Sequence, residues 1–174
     1  TFAVYGSPES NERLIPFDMI LRVIAAAEWR FLERGIEQRV RAMNAFLHDI
    51  YHRQEIVRAG RIPSDLVSGT AAFLPQMMGF DPPRGVYSHI IGTDIVRTAE
   101  DGFFVLEDNL RTPSGVSYML ENRETMMRLF PEMFAAHRVA PVERYPELLR
   151  QTLQSVAPAG CDGEPNVAVL TPGI

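Results

Sequence analysis

The sequence of 174 residues contains no lysine, and all 17 of its basic residues are arginine. Its single cysteine, Cys161, cannot form a disulfide within the chain, which favours a reducing compartment. No apolar run approaches the ~18 residues that a membrane span needs, and no basic cluster accompanies the formal net charge of -5. We therefore predict a cytoplasmic protein without membrane or nucleic-acid partners.

The composition is otherwise that of a globular protein. An apolar content of 46% and this length suit one packed core. The absence of lysine bears on function, because proteins that hold nucleotide phosphates commonly use a lysine as a point charge. Any ATP chemistry on this chain would lack that component.

Apolar residues recur every three or four positions and predict a long amphipathic helix from about Ala26 to His52. Further helices are predicted after Ser114 and over about Tyr145 to Val156, with irregular structure and one short helix in residues 63–85. Strands are predicted at both ends of the chain, over residues 1–5 and 167–170. The apolar stripe of the first helix, expected to be core, consists of Trp29, Leu32, Ile36, Val40, Met43, Leu47 and Ile50.

Two strand-like runs, residues 89–96 and 103–110, flank an Asp101-Gly102 pair, which is a strong signal for a β-hairpin. A two-residue turn would pair Asp94 with Asn109, and a four-residue turn would pair Asp94 with Glu107. Both turns keep the three polar side chains on one face, whereas a three-residue turn would separate them.

The shared face is predicted to carry Val96, Phe103 and Val105 as well, so the hairpin should be covered. Two carboxylates side by side in a covered site cost several kcal/mol unless a cation compensates them. Two carboxylates and an amide oxygen suit Mg²⁺ or Mn²⁺, and Mg²⁺ implies a phosphate-bearing partner such as ATP. The alternative is a structural ion-pair cluster of Asp94, Glu107, Asp108 and Arg111.

These residues carry a resemblance. The segment from Asp94 to Arg111, an Asp followed by Glu-x-Asn, resembles the metal-binding hairpin of ATP-grasp ligases. Residues 44–52 and 106–123 resemble more specifically the circularly permuted ATP-grasp proteins related to glutathionylspermidine synthase. The expected fold class is therefore α+β: an ATP-grasp-like portion with an antiparallel hairpin packed by helices, incomplete at the C-terminus.

The resemblance implies a ligase that phosphorylates a small-molecule or peptide carboxylate with ATP and lets an amine attack the acyl phosphate. Asp94, Glu107 and Asn109 would hold Mg²⁺ or Mn²⁺. Arg111 would act in catalysis, and Ser114 and Gly115 would bind the cofactor through the positive end of the following helix. Ser114 could instead be only a helix cap.

The implied organisation has three parts. Residues 1–157 form the helical region with the metal-binding hairpin, residues 158–165 form a Pro/Gly-rich linker, and residues 166–174 begin a following, truncated α/β subdomain. The adenine- and phosphate-binding segments, and with them the missing lysines, would lie in the remainder of the same enzyme beyond Ile174. We expect the fragment to be inactive alone.

A zinc-dependent hydrolase is the rival enzyme reading. His48 and His52 lie one helical turn apart with Asp49 beside them, as in zinc proteases that have glutamate at that position. Glu55 or His89 would supply a third ligand. The two histidines could equally do no more than meet the carbonyl end of the helix, and a non-catalytic interaction module is the third possibility.

Overall fold

The computed structural model describes residues 2–3, 12–13, 18–98, 102–111 and 113–168. Two short strands, β1 and β2, pair antiparallel near the start of the chain, and a second antiparallel pair, β3 and β4, forms the predicted hairpin. Six α-helices are described. The elements are β1 Phe2–Ala3, β2 Glu12–Arg13, α1 Ala26–Tyr51, α2 Glu55–Arg58, α3 Ser64–Ser68, β3 Gly92–Arg97, β4 Phe103–Asn109, α4 Val116–Leu129, α5 Pro131–Ala136 and α6 Tyr145–Gln154.

The predicted long helix is confirmed as α1, within one residue at its C-terminal end. At its start the Glu28 carboxylate accepts a hydrogen bond from the Ala25 N–H at 2.8 Å, which satisfies a donor that the helix itself leaves free. Only part of the apolar stripe is core. Leu32 and Ile50 are buried, but Trp29 is 55% exposed, so the prediction that the whole stripe is buried is wrong.

The described core lies at the C-terminal end of α1, where Ile50 and Tyr51 pack with Val67 of α3. The Tyr51 ring stacks on Phe73 with centroids 5.1 Å apart, and its hydroxyl accepts a hydrogen bond from the Leu74 N–H at 3.3 Å. The segment between α2 and β3 therefore wraps around one end of α1. It contains α3 and two single-turn 3₁₀ helices, in agreement with the irregular structure that was predicted.

The hairpin has a β-bulge that decides its register. Next to the loop, Arg97 pairs with Phe103, and the Thr98 N–H donates to the Gly102 carbonyl at 3.0 Å. Gly102 is thus part of the paired region, and the predicted two-residue Asp101-Gly102 turn is wrong; residues 99–101 lie outside the described residues. The register shifts by one residue between Asp94 and Ile95, which leaves Leu106 without a partner on β3.

The bulge also changes the composition of the two faces. Ile95 pairs with Val105, and Arg97 pairs with Phe103. The side chains of Val105 and Phe103 therefore lie on the other face of the hairpin from Asp94 and Glu107, contrary to prediction. Phe104 takes their place beside Val96. The predicted cover over this face is also wrong for the described residues, since Val96 is 42% exposed and Phe104 59%.

The chain continues into α4, α5 and α6, which confirms the helices predicted after Ser114 and near Tyr145. Residues 155–168 form neither helix nor strand, and the strand predicted over residues 167–170 extends into residues outside the described part. The three-part division of the chain stays a prediction. Among the described helices, none combines the length and apolarity that crossing a membrane requires.

Candidate functional site

Asp94 and Glu107 are direct cross-strand neighbours in the hairpin, as the four-residue alternative predicted. Gly92 pairs with Asn109, so Asn109 lies two residues along the same face, and its amide nitrogen donates to Glu107 Oε1 at 3.1 Å. All three polar side chains are exposed. We call Asp94, Glu107 and Asn109 the acid face; the amide oxygen of Asn109 remains available beside the two carboxylates.

The neighbouring acid, Asp108, points the other way and has a different role. Its carboxylate accepts from Arg39 Nε at 2.6 Å and from the Thr93 hydroxyl at 3.0 Å. The Arg39 hydrogen bond, followed by that of Thr93, holds the pKa of Asp108 below its usual range. A second ion pair joins Arg97 of β3 to Glu28 of α1. These two contacts fasten the back of the hairpin to α1.

The predicted structural ion-pair cluster does not form. Asp108 pairs with Arg39 and not with Arg111, and within the described ranges neither Asp94 nor Glu107 forms an ion pair with any basic side chain. The carboxylates of Asp94 and Glu107 therefore face each other across the strands without a basic side chain to compensate them, whereas the neighbouring Asp108 carboxylate is compensated by Arg39. Among the described residues of the hairpin, the acid face carries the negative charge that no basic side chain compensates.

The loop from β4 to α4 returns to the same end of the hairpin. A Cβ built on Gly92 would lie 3.1 Å from Pro113 Cβ and 3.7 Å from Asn109 Cβ, so the loop lies directly against the Gly92–Asn109 pair. Two residues after Asn109, the exposed Arg111 borders a cleft with Tyr145 of α6. Pro113 of this loop therefore lies on the side of the hairpin that carries the acid face, because Gly92 alternates with Asp94.

Gly115 is the N-cap of α4, with φ +97°, and no side chain caps this helix. A Cβ at Gly115 would find its nearest neighbour 4.0 Å away, so the backbone conformation and not space favours glycine. The alternative that Ser114 caps the helix is therefore wrong. Gly115, as the N-cap, offers no side-chain acceptor to the start of α4, and the positive end of a helix favours an anion.

Sequence reasoning missed the residue that positions the segment before the hairpin. Asn44 of α1 accepts hydrogen bonds from the Tyr87 N–H at 2.8 Å and the Ser88 N–H at 3.1 Å through its amide oxygen. The Ser88 hydroxyl in turn donates to the Leu110 carbonyl at 3.3 Å. A lone asparagine on an amphipathic helix carries no signal of such a role, because its partners are more than 40 residues away.

The interpretation as a zinc protease is contradicted at Asp49, the residue that would have to act as the general base. Asp49 accepts hydrogen bonds from the Glu55 N–H at 2.8 Å and the Ile56 N–H at 2.9 Å, so its carboxylate fixes the turn into α2. The Ile56 hydrogen bond is the main reason that the pKa of Asp49 is lowered. Among the described residues, the third potential metal ligand beside His48 and His52 is Asp81, and not Glu55 or His89 as predicted.

Residues 21–174 match the model of a family described as "A circularly permuted ATPgrasp". An uncharacterized protein of Synechocystis sp. is 51% identical over all of this chain and 36% of its own length, and one of Mycobacterium tuberculosis is 49% identical over all of this chain and 31% of its own. A protein of Frankia casuarinae, whose name is that of a putative glutamate–cysteine ligase, is 39% identical over 97% of this chain and 19% of its own length.

The chain spans about a third of the length of the Synechocystis and mycobacterial relatives. The family match nevertheless runs without interruption from Leu21 through the hairpin and α6 to Ile174. The finer resemblance to glutathionylspermidine synthase stays a prediction. The match over most of the sequence shows that the chain belongs to the circularly permuted ATP-grasp family.

Proposed function

We propose that this chain supplies the Mg²⁺-binding hairpin of an ATP-dependent ligase that joins a carboxylate to an amine through an acyl phosphate. The observation that carries the proposal is the acid face. Asp94 and Glu107 oppose each other directly, while Asp108, next to Glu107 on β4, is already paired with Arg39. Two adjacent carboxylates repel each other, and a divalent cation between them removes that repulsion.

The donor set fits Mg²⁺. Two carboxylates and an amide oxygen are hard oxygen ligands, and Mg²⁺ takes one or two carboxylates from protein while keeping water or phosphate in its remaining positions. The acid face is exposed, so those positions are open to a nucleotide. When bound, Mg²⁺ neutralises phosphate oxygens and so favours phosphoryl transfer.

The fixed attachment of the hairpin to α1 supports this use. Arg39 and Glu28 hold the side of the hairpin that faces away from the acid face. Because alternate residues of a strand point to opposite sides, fixing Asp108 and Arg97 orients Asp94 and Glu107 outward. Ligands held on such a supported frame lose less conformational entropy on binding than free side chains would.

The residues after β4 supply positive charge. Arg111 follows Asn109 by two residues, at most about 7 Å along the chain, and α4 starts after its N-cap Gly115. A guanidinium and the N-terminal end of a helix both favour phosphate or carboxylate. In the proposed reaction Arg111, Ser114 and Gly115 orient the anionic substrate group and stabilise the charge that develops on its oxygens.

The family and the relatives support the reaction class. ATP-grasp membership supports an ATP-dependent ligase, and the Frankia relative carries the name of an enzyme that joins a carboxylate to an amine. The proposal keeps the general class and names no particular acid or amine.

Mn²⁺ binding to the intact protein, followed by electron paramagnetic resonance, tests the proposed site directly. Asp94→Asn and Glu107→Gln should each weaken Mn²⁺ binding at least about 10-fold and lower Mg²⁺-dependent ATP turnover. Glu33→Gln is the matched control: Glu33 is exposed on α1 and lies about 140° around the helix from Glu28, away from the hairpin. Equal Mn²⁺ affinity in Glu107→Gln and Glu33→Gln would refute the metal site.

A further inference from the structure

Three side chains outside the acid face converge near the C-terminal end of α1. The rings of His48 and His52 stack, with centroids 4.2 Å apart and planes 11° from parallel. Asp81, from the segment between the two 3₁₀ helices, places Oδ1 3.2 Å from His52 Nε2 and 3.6 Å from His48 Nε2. One carboxylate oxygen of Asp81 thus lies close to the Nε2 atom of each ring.

The hydrogen bonding of His52 determines which nitrogen is free. His52 Nδ1 lies 2.9 Å from the His48 carbonyl oxygen, and because a carbonyl only accepts, Nδ1 carries the proton. In the neutral ring Nε2 then presents a lone pair. This fixed tautomer, set by a hydrogen bond from the other ring nitrogen to a carbonyl, is the arrangement found behind metal-binding histidines.

The Nε2 atom of His52 is buried, and no described residue gives it a hydrogen-bond partner. It lies close to Asp81, but the geometry is not that of a hydrogen bond, so the contact does not satisfy the nitrogen. A lone pair beside a carboxylate oxygen is repulsive. A cation that accepts electron pairs from both atoms removes the repulsion and satisfies the buried nitrogen.

We propose that His48, His52 and Asp81 bind a transition-metal ion, with Zn²⁺ the best fit. In a tetrahedral site with bonds of 2.0–2.2 Å, neighbouring ligand atoms lie about 3.3–3.6 Å apart. The two nitrogen-to-oxygen distances, 3.2 and 3.6 Å, are close to that range, and rotation of the stacked rings turns both Nε2 lone pairs towards one ion. Two imidazoles and one carboxylate suit Zn²⁺ and not Mg²⁺, and water completes the coordination.

The site joins two parts of the fold. The segment carrying Asp81 is held to α1 by the Gly79 N–H, which donates to the Tyr51 carbonyl at 2.8 Å. Within that segment the Tyr87 hydroxyl donates to the Phe80 carbonyl at 3.0 Å. A metal at Asp81 adds a second attachment to α1 beside the Gly79 bond. Since Asp49 is engaged by backbone N–H groups, the bound ion is a structural clip and not a hydrolytic centre.

Metal binding by the chelator-treated intact protein tests this site. The protein is titrated with Co²⁺, read by the visible absorption of a tetrahedral Co²⁺ centre, and then with competing Zn²⁺. The wild-type protein should bind one Co²⁺ ion at this centre. His52→Ala and Asp81→Asn should each lower the Co²⁺ affinity at least about 10-fold. His137→Ala is the matched control, since His137 is exposed and outside the cluster, and it should bind as wild type does.

Asp81→Asn guards against misfolding as the cause of any loss, because the Asp81 side chain is 74% exposed. Asp81→Asn should keep the Mn²⁺ affinity of the acid face. The experiment therefore tests the His48, His52 and Asp81 site separately from the acid face. Co²⁺ and Zn²⁺ affinities that are the same in wild type and Asp81→Asn would overturn the proposal. So would a loss of the tetrahedral signal in His137→Ala.

Discussion

Replacing Asn44 by alanine should release the segment that leads into the hairpin. The half-buried Asn44 side chain accepts from the backbone N–H groups of Tyr87 and Ser88 at 2.8 and 3.1 Å. It also donates to the Val40 carbonyl at 3.1 Å, which holds its own orientation. Alanine provides no acceptor, so the two N–H groups lose their partner.

The magnitude follows from those two donors. An unsatisfied buried donor costs about 1–3 kcal/mol, so two would cost about 2–6 kcal/mol. The site is half-buried and water reaches part of it, so the low end of that range applies, about 2–3 kcal/mol. Amide hydrogen exchange at Tyr87 and Ser88 should then accelerate about 30- to 150-fold.

Hydrogen exchange on the intact protein measures this locally. Asn44→Asp keeps an oxygen acceptor and should retain most of the protection, which separates loss of the acceptor from loss of the amide. Asn122→Ala makes the same change on the exposed side of α4 and should alter stability by no more than about 0.5 kcal/mol. Unchanged exchange at Tyr87 and Ser88 in Asn44→Ala would refute the reasoning.

Two further predictions concern a carboxylate and two glycines. The pKa of Asp49 is lowered, so its stabilising contribution is complete above the ordinary pKa of 3.8 and is lost as pH falls through the lower folded pKa. Its carboxyl ¹³C shift should titrate below pH 3.8, and a midpoint at or above that pH would contradict the assignment. Gly115→Ala should lower the free energy of unfolding by about 1–3 kcal/mol because of the positive φ at this position. Gly35→Ala, in the middle of α1 where nothing lies within 4 Å of the new Cβ, should raise the free energy of unfolding by about 0.5–1 kcal/mol. Denaturant unfolding that shows a change of the same sign for both variants would contradict the conformational argument.

Several features follow from local pattern alone. The spacing of apolar residues determined the extent of α1, and two strand-like runs around Asp101-Gly102 determined the hairpin. Alternation within β4 placed Glu107 and Asn109 on one face, because it depends on a single strand. The resemblance to permuted ATP-grasp proteins, which the family match confirms, used the same segments.

The faces of the hairpin were less predictable. The residues paired beside the loop have the register of a three-residue turn, which by itself would place Asp94 and Glu107 on opposite faces. The bulge at Leu106 restores the shared face, and no residue type in residues 103–109 predicts that bulge. The predicted outcome for the acids was right, but the predicted positions of Phe103 and Val105 were wrong.

Only the tertiary structure brought together groups that are distant in sequence. Arg39 reaches Asp108 across 69 positions, and Asp81 reaches His48 and His52 from a segment without regular pattern. Local periodicity determines which side of an element a residue occupies, because that depends on backbone geometry alone. Which residue it meets there depends on how the chain folds back, and that is decided by the packing around α1 and not by any single segment.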